Sequence, residues 1–288
     1  MKKSKIIWRL TDGKIGHEKQ SLALVESIKS QTKCKVINVN IQNLPNPLLS
    51  IIFKKYNFGG SFIKPDIAIG AGHKTHLHLL SIKRNFGAKV VVIMKPSIPT
   101  KFFDLCLITK HQGMKNKANI FTTQTPLINF NTSMKKKENV GLFLVGGNSK
   151  HYKWDTKLVQ QQIKEISDKF KFRKLLLTTS RRTPCDFVSE LKKLKIDNIK
   201  IYEYGKIKNN WLDKQIIKVR NIWVTNDSYS MIIEALASGA QTDILELKNK
   251  SNSKLSKEIN KIKLNLSKKI SIQNESKRAA MHIKKIWF

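Results

Sequence analysis

From residue 5 to residue 247, short apolar runs alternate with amphipathic stretches. The runs KIIWRL, KVINVNI, PDIAIG, KVVVIM and FDLCLIT are rich in β-branched and aromatic residues, while SLALVESIKS and THLHLLSIKR repeat their apolar positions at helical spacing. Strands that read as apolar runs, separated by helices, predict a parallel sheet covered on both faces. The polar stretch NTSMKKKEN has no periodicity and reads as a linker. The rhythm then restarts with VGLFLVGG, a helix over 157–169, KLLLTTS, a helix over 184–194, KIYEYG, NIWVT, a further helix and TDILEL. The pattern therefore predicts two parallel-sheet α/β domains, 1–135 and 139–270. A terminal helix over 271–288 carries Met281, Ile283, Ile286, Trp287 and Phe288, and is expected to pack back on the first domain.

One segment falls out of step. LPNPLLSIIFKKYNF, residues 44–58, is apolar, bracketed by prolines and lysines, and too short to cross a bilayer. The expectation is a helix buried on the sheet. The other reading lays it in a membrane interface, with Lys54 and Lys55 on phosphates.

The stretch VTNDSYSMIIEALASGA organises the second half. Asn226 and Asp227 follow an apolar strand and supply turn and N-cap chemistry, so a helix is predicted to begin there. Asp227, Ser230, Glu234 and Ser238 then share one polar stripe on a helix otherwise built from Met231, Ile232, Ile233, Leu236 and alanines. Such a stripe is either the wet face of a surface helix or a working one. A helix N-terminus after a parallel strand can hold a phosphate while a carboxylate further along takes ribose hydroxyls.

Charge and composition narrow the partners. The 288-residue chain carries 55 Lys+Arg against 20 Asp+Glu, a net charge of +35. Such an excess suggests nucleic acid or an anionic membrane surface. Only seven of the basic residues are arginine, and the lysines are spread along the whole length without interleaved aromatics, so nucleic acid is set aside. AT-rich codon usage explains the lysines equally well. Cys34, Cys106 and Cys185 are single and far apart, which indicates neither a disulfide framework nor a metal cluster. With no signal-peptide pattern and no apolar stretch of spanning length, the expectation is a cytoplasmic protein peripheral on the inner face of the cytoplasmic membrane.

The loops after the strands carry the candidate chemistry, because ligands of parallel sheets gather at strand C-termini. After the first strand, Gly13 and Gly16 allow close backbone approach while Asp12 and His17 bring titratable groups. Gly72, His73, Thr75 and His76 follow PDIAIG, and Lys95 and Pro96 follow KVVVIM. No third ligand stands near the two histidines, so a metal is not expected there. In the second half, the Gly146-Gly147-Asn148-Ser149-Lys150 loop reads as a nest of free N–H groups. Ser180-Arg181-Arg182-Thr183 sets paired arginines ahead of a helix. There is no GxGxxG fingerprint, no GxxxxGK[ST] and no Asp-x-Asp pair for a divalent ion. Convergence of anion-binding groups on three loops suggests a diphosphate, held without metal.

Six ordered motifs, WRLTDGKIGHEKQ, PDIAIGAGHKTH, VVIMKPSIPTKFFDLCLITKHQ, LVGGNSKHYKWD, TTSRRTP and VTNDSYSMIIEALASGA, resemble a bacterial glycosyltransferase family named after a plant mitochondrial fission (elongated mitochondria) factor. The resemblance spans most of residues 5–247. It implies a GT-B architecture, two Rossmann-like domains facing across a cleft, with the acceptor on the first and the nucleotide-sugar donor on the second. It also implies a metal-independent transferase with no cofactor beyond its donor, acting on a glycolipid or glycan acceptor. On that reading Asp12 or His17 is the general base beside Gly16, and Gly72, His73, Thr75, His76, Lys95 and Pro96 face the acceptor. The donor falls to Gly146, Gly147, Asn148, Ser149, Lys150, Ser180, Arg181, Arg182, Thr183, Asn226, Asp227, Ser228, Ser230, Met231 and Glu234, with Glu234 on the ribose. Gln241 stands where many such enzymes carry proline. Nucleotide-sugar epimerase, a label attached to similar sequences, is set aside because the dinucleotide fingerprint is missing. The competing class is a membrane-associated scaffold that keeps the fold without chemistry.

Overall fold

The computed structural model describes residues 4–53, 63–114, 117–129, 137–170, 173–207, 211–266 and 273–288. The chain divides into two compact units, Met1–Asn129 with Gln273–Phe288, and Phe130–Ile272.

In the first unit, β1 (Lys5–Thr11), α1 (Ile15–Lys29), β2 (Cys34–Asn40), α2 (Pro47–Phe53), β3 (Ile67–Ala71), α3 (His76–Phe86), β4 (Lys89–Ile93), β5 (Leu105–Thr109) and β6 (Ile120–Thr123) follow in order. The six strands form one all-parallel sheet ordered β2-β1-β3-β4-β5-β6. Successive side chains on a strand point to opposite faces, and β1 shows it. Ile7 joins the core under α1 with Leu24 and Ile28, while Trp8 joins the opposite core under α3 with Leu79 and Ile82. Near-continuous apolar strands are thus buried on both sides.

In the second unit, β7 (Glu138–Leu144), β8 (Tyr152–Lys153), α4 (Thr156–Lys169), β9 (Lys174–Thr178), α5 (Phe187–Lys193), β10 (Ile199–Tyr202), α6 (Trp211–Lys218), β11 (Val219–Thr225), α7 (Tyr229–Ala237), β12 (Gln241–Leu245), β13 (Lys248–Asn249) and α8 (Lys254–Leu264) follow. Five strands make a second parallel sheet ordered β10-β9-β7-β11-β12, and β8 pairs with β13 antiparallel. Lys137 anchors the entry to β7, its ammonium donating to the carbonyls of Ile217 at 2.8 Å and Ser238 at 2.7 Å, next to the C-termini of α6 and α7. Cations suit helix C-termini, where carbonyls lack intrahelical partners.

The last helix, α9 (Glu275–Trp287), lies in the first unit, where Ala279, Ala280 and Ile283 complete the core under α1. Its start is pinned by polar contacts. The buried Glu275 carboxylate accepts from the Gln124 N–H at 2.9 Å and the Arg278 guanidinium at 2.8 Å, and the Ser276 hydroxyl donates to the Ile128 carbonyl at 2.8 Å.

Several expectations need correction. α1 begins at Ile15, not near Ser21, so Gly16 and His17 sit in its first turn instead of a loop. α2 is not buried on the sheet: Leu48, Leu49, Ile52 and Phe53 face solvent. Residues 54–58 of that segment and most of the 131–139 stretch lie outside the described residues.

Candidate functional site

The first cluster is built at the C-terminal end of β1. Gly13 takes a left-handed φ of +75° and turns the chain into α1. Asp12, with its side chain only 1% exposed, accepts from the Lys14 N–H at 3.1 Å through one oxygen, while the other lies 2.8 Å from His17 Nδ1. A carboxylate only accepts, so Nδ1 is the donor, and in the neutral ring this is the tautomer that keeps the lone pair on Nε2. Arg9, which sequence reasoning passed over, holds the first turn from below. Its guanidinium donates to Ser21 Oγ at 3.0 Å, Asn38 Oδ1 at 2.8 Å and the Glu18 carbonyl at 2.9 Å. A buried arginine inside a strand was the signal that could have found it.

Gly72 explains itself against His17. Its φ is +80°, and a Cβ built there would lie 2.1 Å from His17 Cε1, so the imidazole rests on bare backbone. Thr75 is buried and donates to the Gly72 carbonyl at 2.8 Å, closing the turn. His76 opens α3, buried, with Nδ1 3.1 Å from Ser97 Oγ and its ring edge-on to Phe103. Burial, reinforced by the charges of His73 and His17, pulls its pKa down to about 4, so it is neutral near pH 7. His73 and Lys95 are exposed, and Pro96 is buried. At the end of β4, Met94 takes a φ of 76°, a left-handed conformation that L side chains seldom hold.

The second cluster sits at the C-terminal ends of β7, β9 and β11. Asp227, expected to cap the helix, does something else. The N-cap of α7 is Ser228, which places no side-chain oxygen on the helix amides. The Asp227 carboxylate is fully buried and points into the loop after β7, where it accepts from the Gly147 N–H at 3.1 Å and pairs with Arg182 at 2.7 Å. Burial pushes its pKa up, against the opposing pull of Thr225, Arg182 and the Gly147 N–H. Its other oxygen and the Tyr152 hydroxyl are both buried without a partner among the described residues. Burial, helped by the Asp227 charge, drives the Tyr152 phenol up to about 12.

This geometry corrects the free nest. The Gly146 N–H donates to Thr225 Oγ1 at 2.8 Å, the Gly147 N–H to Asp227, and the Asn148 N–H to the Arg182 carbonyl at 3.2 Å. The glycines are required by close approach: a Cβ on Gly146 would sit 2.1 Å from the Asp227 carboxylate, and one on Gly147 1.9 Å from the Arg182 carbonyl oxygen. Ser180 and Thr183 lock the facing turn by donating their hydroxyls to the Gly146 carbonyl. Ser149 Oγ accepts from the Tyr152 N–H at 3.0 Å.

Of the two arginines, Arg182 is the anchored one, tied to Asp227 and to the Asn148 carbonyl at 3.1 Å, with its guanidinium still partly exposed. Arg181 and Lys150 are exposed side chains. Asn226 spends its amide on the backbone of Leu247, accepting at 3.1 Å and donating at 3.1 Å. The polar stripe shrinks accordingly. Ser230 is exposed, Met231 and Glu234 are half-buried, and Ser238 turns its hydroxyl back to the Ala235 carbonyl at 2.6 Å.

The profile of the family described as Mitochondrial fission ELM1 matches residues 15–269. No curated protein matches the chain in sequence. Among solved structures, the S. aureus MnaA–UDP co-structure is similar with a TM-score of 0.57 and 11% identity, covering 98% of this chain and 96% of that one. The UDP-GlcNAc 2-epimerase from Methanocaldococcus jannaschii is similar with a TM-score of 0.56 and 12% identity, covering 97% and 99%. The UDP-GlcNAc 2-epimerase from Neisseria meningitidis bound to UDP-GlcNAc is similar with a TM-score of 0.52 and 11% identity, covering 97% and 98%. At such identity the likeness is one of fold: two parallel α/β units of the GT-B type.

Proposed function

The chain belongs to the mitochondrial fission ELM1 family, and on that premise we propose that it moves a sugar from a nucleoside diphosphate sugar to a hydroxyl of a lipid-linked or envelope glycan. The observation that carries the chemistry is the Asp12–His17 pair. With Nδ1 committed to a buried carboxylate, His17 Nε2 takes the proton of the acceptor hydroxyl as its oxygen bonds to the anomeric carbon. The bond from that carbon to the diphosphate breaks, and the nucleoside diphosphate leaves with the electron pair. Asp12 orients the ring and stabilises the imidazolium.

The second unit would hold the donor. Arg182, backed by Asp227, presents its partly exposed guanidinium to the diphosphate, joined by Arg181, Lys150 and the amides that open α7. Glu234 takes the ribose. Among the described residues no group of three or more His, Cys, Asp or Glu side chains could hold a metal, and the proposed reaction relies on these cations and the helix dipole instead. Chelation with EDTA is expected to leave turnover unchanged. The UDP carried by the similar co-structure makes UDP-sugars the first donors to try.

A second reading is favoured by one observation: two of the similar structures are UDP-GlcNAc 2-epimerases. Lack of a dinucleotide fingerprint does not exclude it, since these proteins share the present fold. Incubation with UDP-GlcNAc in deuterated water separates the readings. UDP release that depends on an added glycan or lipid acceptor, with no deuterium at sugar C2, supports transfer. Deuterium at C2 without acceptor overturns it in favour of epimerisation, and neither event with any nucleotide sugar leaves a scaffold.

A further inference from the structure

We infer that the exposed face of α2 is a docking surface for an anionic lipid bilayer. The helix is short, and its apolar residues point the wrong way for a core: Leu48 is 54% exposed, Leu49 55%, Ile52 64% and Phe53 65%, while Ser50 is the buried one. Leu48 with Ile52, and Leu49 with Phe53, stand four residues apart, so all four lie along one side of the helix. The opposite side is fixed to α3, where the Asn85 amide donates to the Ser50 carbonyl at 3.0 Å. Elsewhere on α3, Lys83 donates to the Phe102 carbonyl at 3.1 Å, and Phe102 is 44% exposed. An apolar ridge held rigidly in water costs free energy unless something covers it.

Charge decides what covers it. Arg84 on α3, Lys101 beside Phe102 and Lys64 next to the exposed Ile63 are all exposed, within a chain of net charge +35. Apolar residues that enter the acyl boundary, on a chain whose exposed cations can meet headgroup phosphates, fit a bilayer carrying anionic lipid. A second copy would bring the same positive charge against itself, which opposes self-association. Among the described residues no helix is long and apolar enough to cross a membrane, so the contact is one of surface insertion. This deepens the lipid-linked reading of the acceptor by naming where the membrane would meet the protein.

The test uses the full chain with vesicles of phosphatidylcholine alone or mixed with phosphatidylglycerol, read by co-sedimentation at low and high salt, beside the double variant Leu49→Ser/Phe53→Ser. Both positions are exposed, so the variant is expected to fold, and an unchanged circular dichroism melt checks it. The wild type is expected to bind the anionic vesicles, and the variant to bind at least about tenfold more weakly. High salt should weaken both by screening lysine attraction, while the ratio between them, set by the apolar part, persists. Equal binding by variant and wild type overturns the proposal, as does a wild type that ignores vesicles. A wild-type dimer that becomes a monomer in the variant, without vesicle binding, assigns the face to a second copy and also overturns it. Vesicle binding by protein that binds no UDP supports the surface while removing the donor reading.

Discussion

His17 Nδ1 lies 2.8 Å from a carboxylate oxygen of Asp12, and the Asp12 side chain has almost no contact with solvent. A pair so arranged fixes one tautomer and leaves Nε2 as the basic atom. His17→Ala is expected to lower turnover by about 10²–10⁴-fold, the usual worth of a positioned base, with UDP affinity held within about twofold. Steady-state kinetics alongside calorimetry with UDP reads both. Asp12→Asn should cost on the order of 10²-fold or more, since an amide no longer obliges Nδ1 to hold the proton.

Gly72→Ala probes the same pair from the other side. The new Cβ would meet His17 Cε1 at 2.1 Å in a residue with φ +80°, so both the ring and the turn must move. A stability loss of about 1–2 kcal/mol is expected from the backbone conformation. Turnover should drop by nearly as much as in His17→Ala. An active Gly72→Ala protein with ordinary donor kinetics would show that the placement of the His17 ring does not matter.

Asp227 is a carboxylate held where burial disfavours its charge. Its folded pKa is raised, so between the ordinary value of 3.8 and the raised one the folded chain binds more protons than the unfolded chain. Stability from this group is therefore present at the acid end and is lost as pH climbs through that interval. Asp227→Asn should remove this part of the pH dependence and unfold no more easily than wild type at neutral pH, because the partly exposed Arg182 keeps access to water. UDP affinity should nevertheless fall about tenfold as Arg182 loses its charged partner. Urea titrations across the carboxylate range and UDP calorimetry check the two halves; a large loss of neutral-pH stability would contradict the first.

His76 gives a slope of opposite sign. With a pKa pulled down to about 4 from the ordinary 6.5, the folded imidazole binds fewer protons than the unfolded one between those values. Stability should therefore drop as pH falls from about 6.5 toward about 4. His78 and His282 are shifted the same way by burial, so His76→Gln should flatten the slope without abolishing it. Urea midpoints at several pH values measure the difference.

Much of the fold was legible because a parallel sheet buried on both faces writes its strands as uninterrupted apolar runs, and Ile67–Ala71 or Val219–Thr225 leave little choice. Elements that are mostly polar or very short, such as α8 with four lysines among Lys254–Leu264 or the four-residue β6, have no such signature and went unread. The start of α1 was hidden by Gly13 and Gly16, which look like loop but here turn and enter a helix. In the candidate site, residue types were readable and their directions were not. Asp227 turned out to serve Arg182 and Gly147 because a buried carboxylate takes the donors nearest to it, and the one-residue offset of the α7 N-cap to Ser228 decides which those are. Which of Arg181 and Arg182 is anchored depends on the same turn.

Finally, α9 supplies Ala279, Ala280 and Ile283 to a core whose other members lie before Asn129. On a ribosome, the N-terminal half must wait for the whole intervening unit to be translated before its last wall arrives. Until then the flank of α1 that α9 covers stands open as a sticky apolar surface. Loss of α9 would therefore harm not the sheet that precedes it in sequence but the distant one.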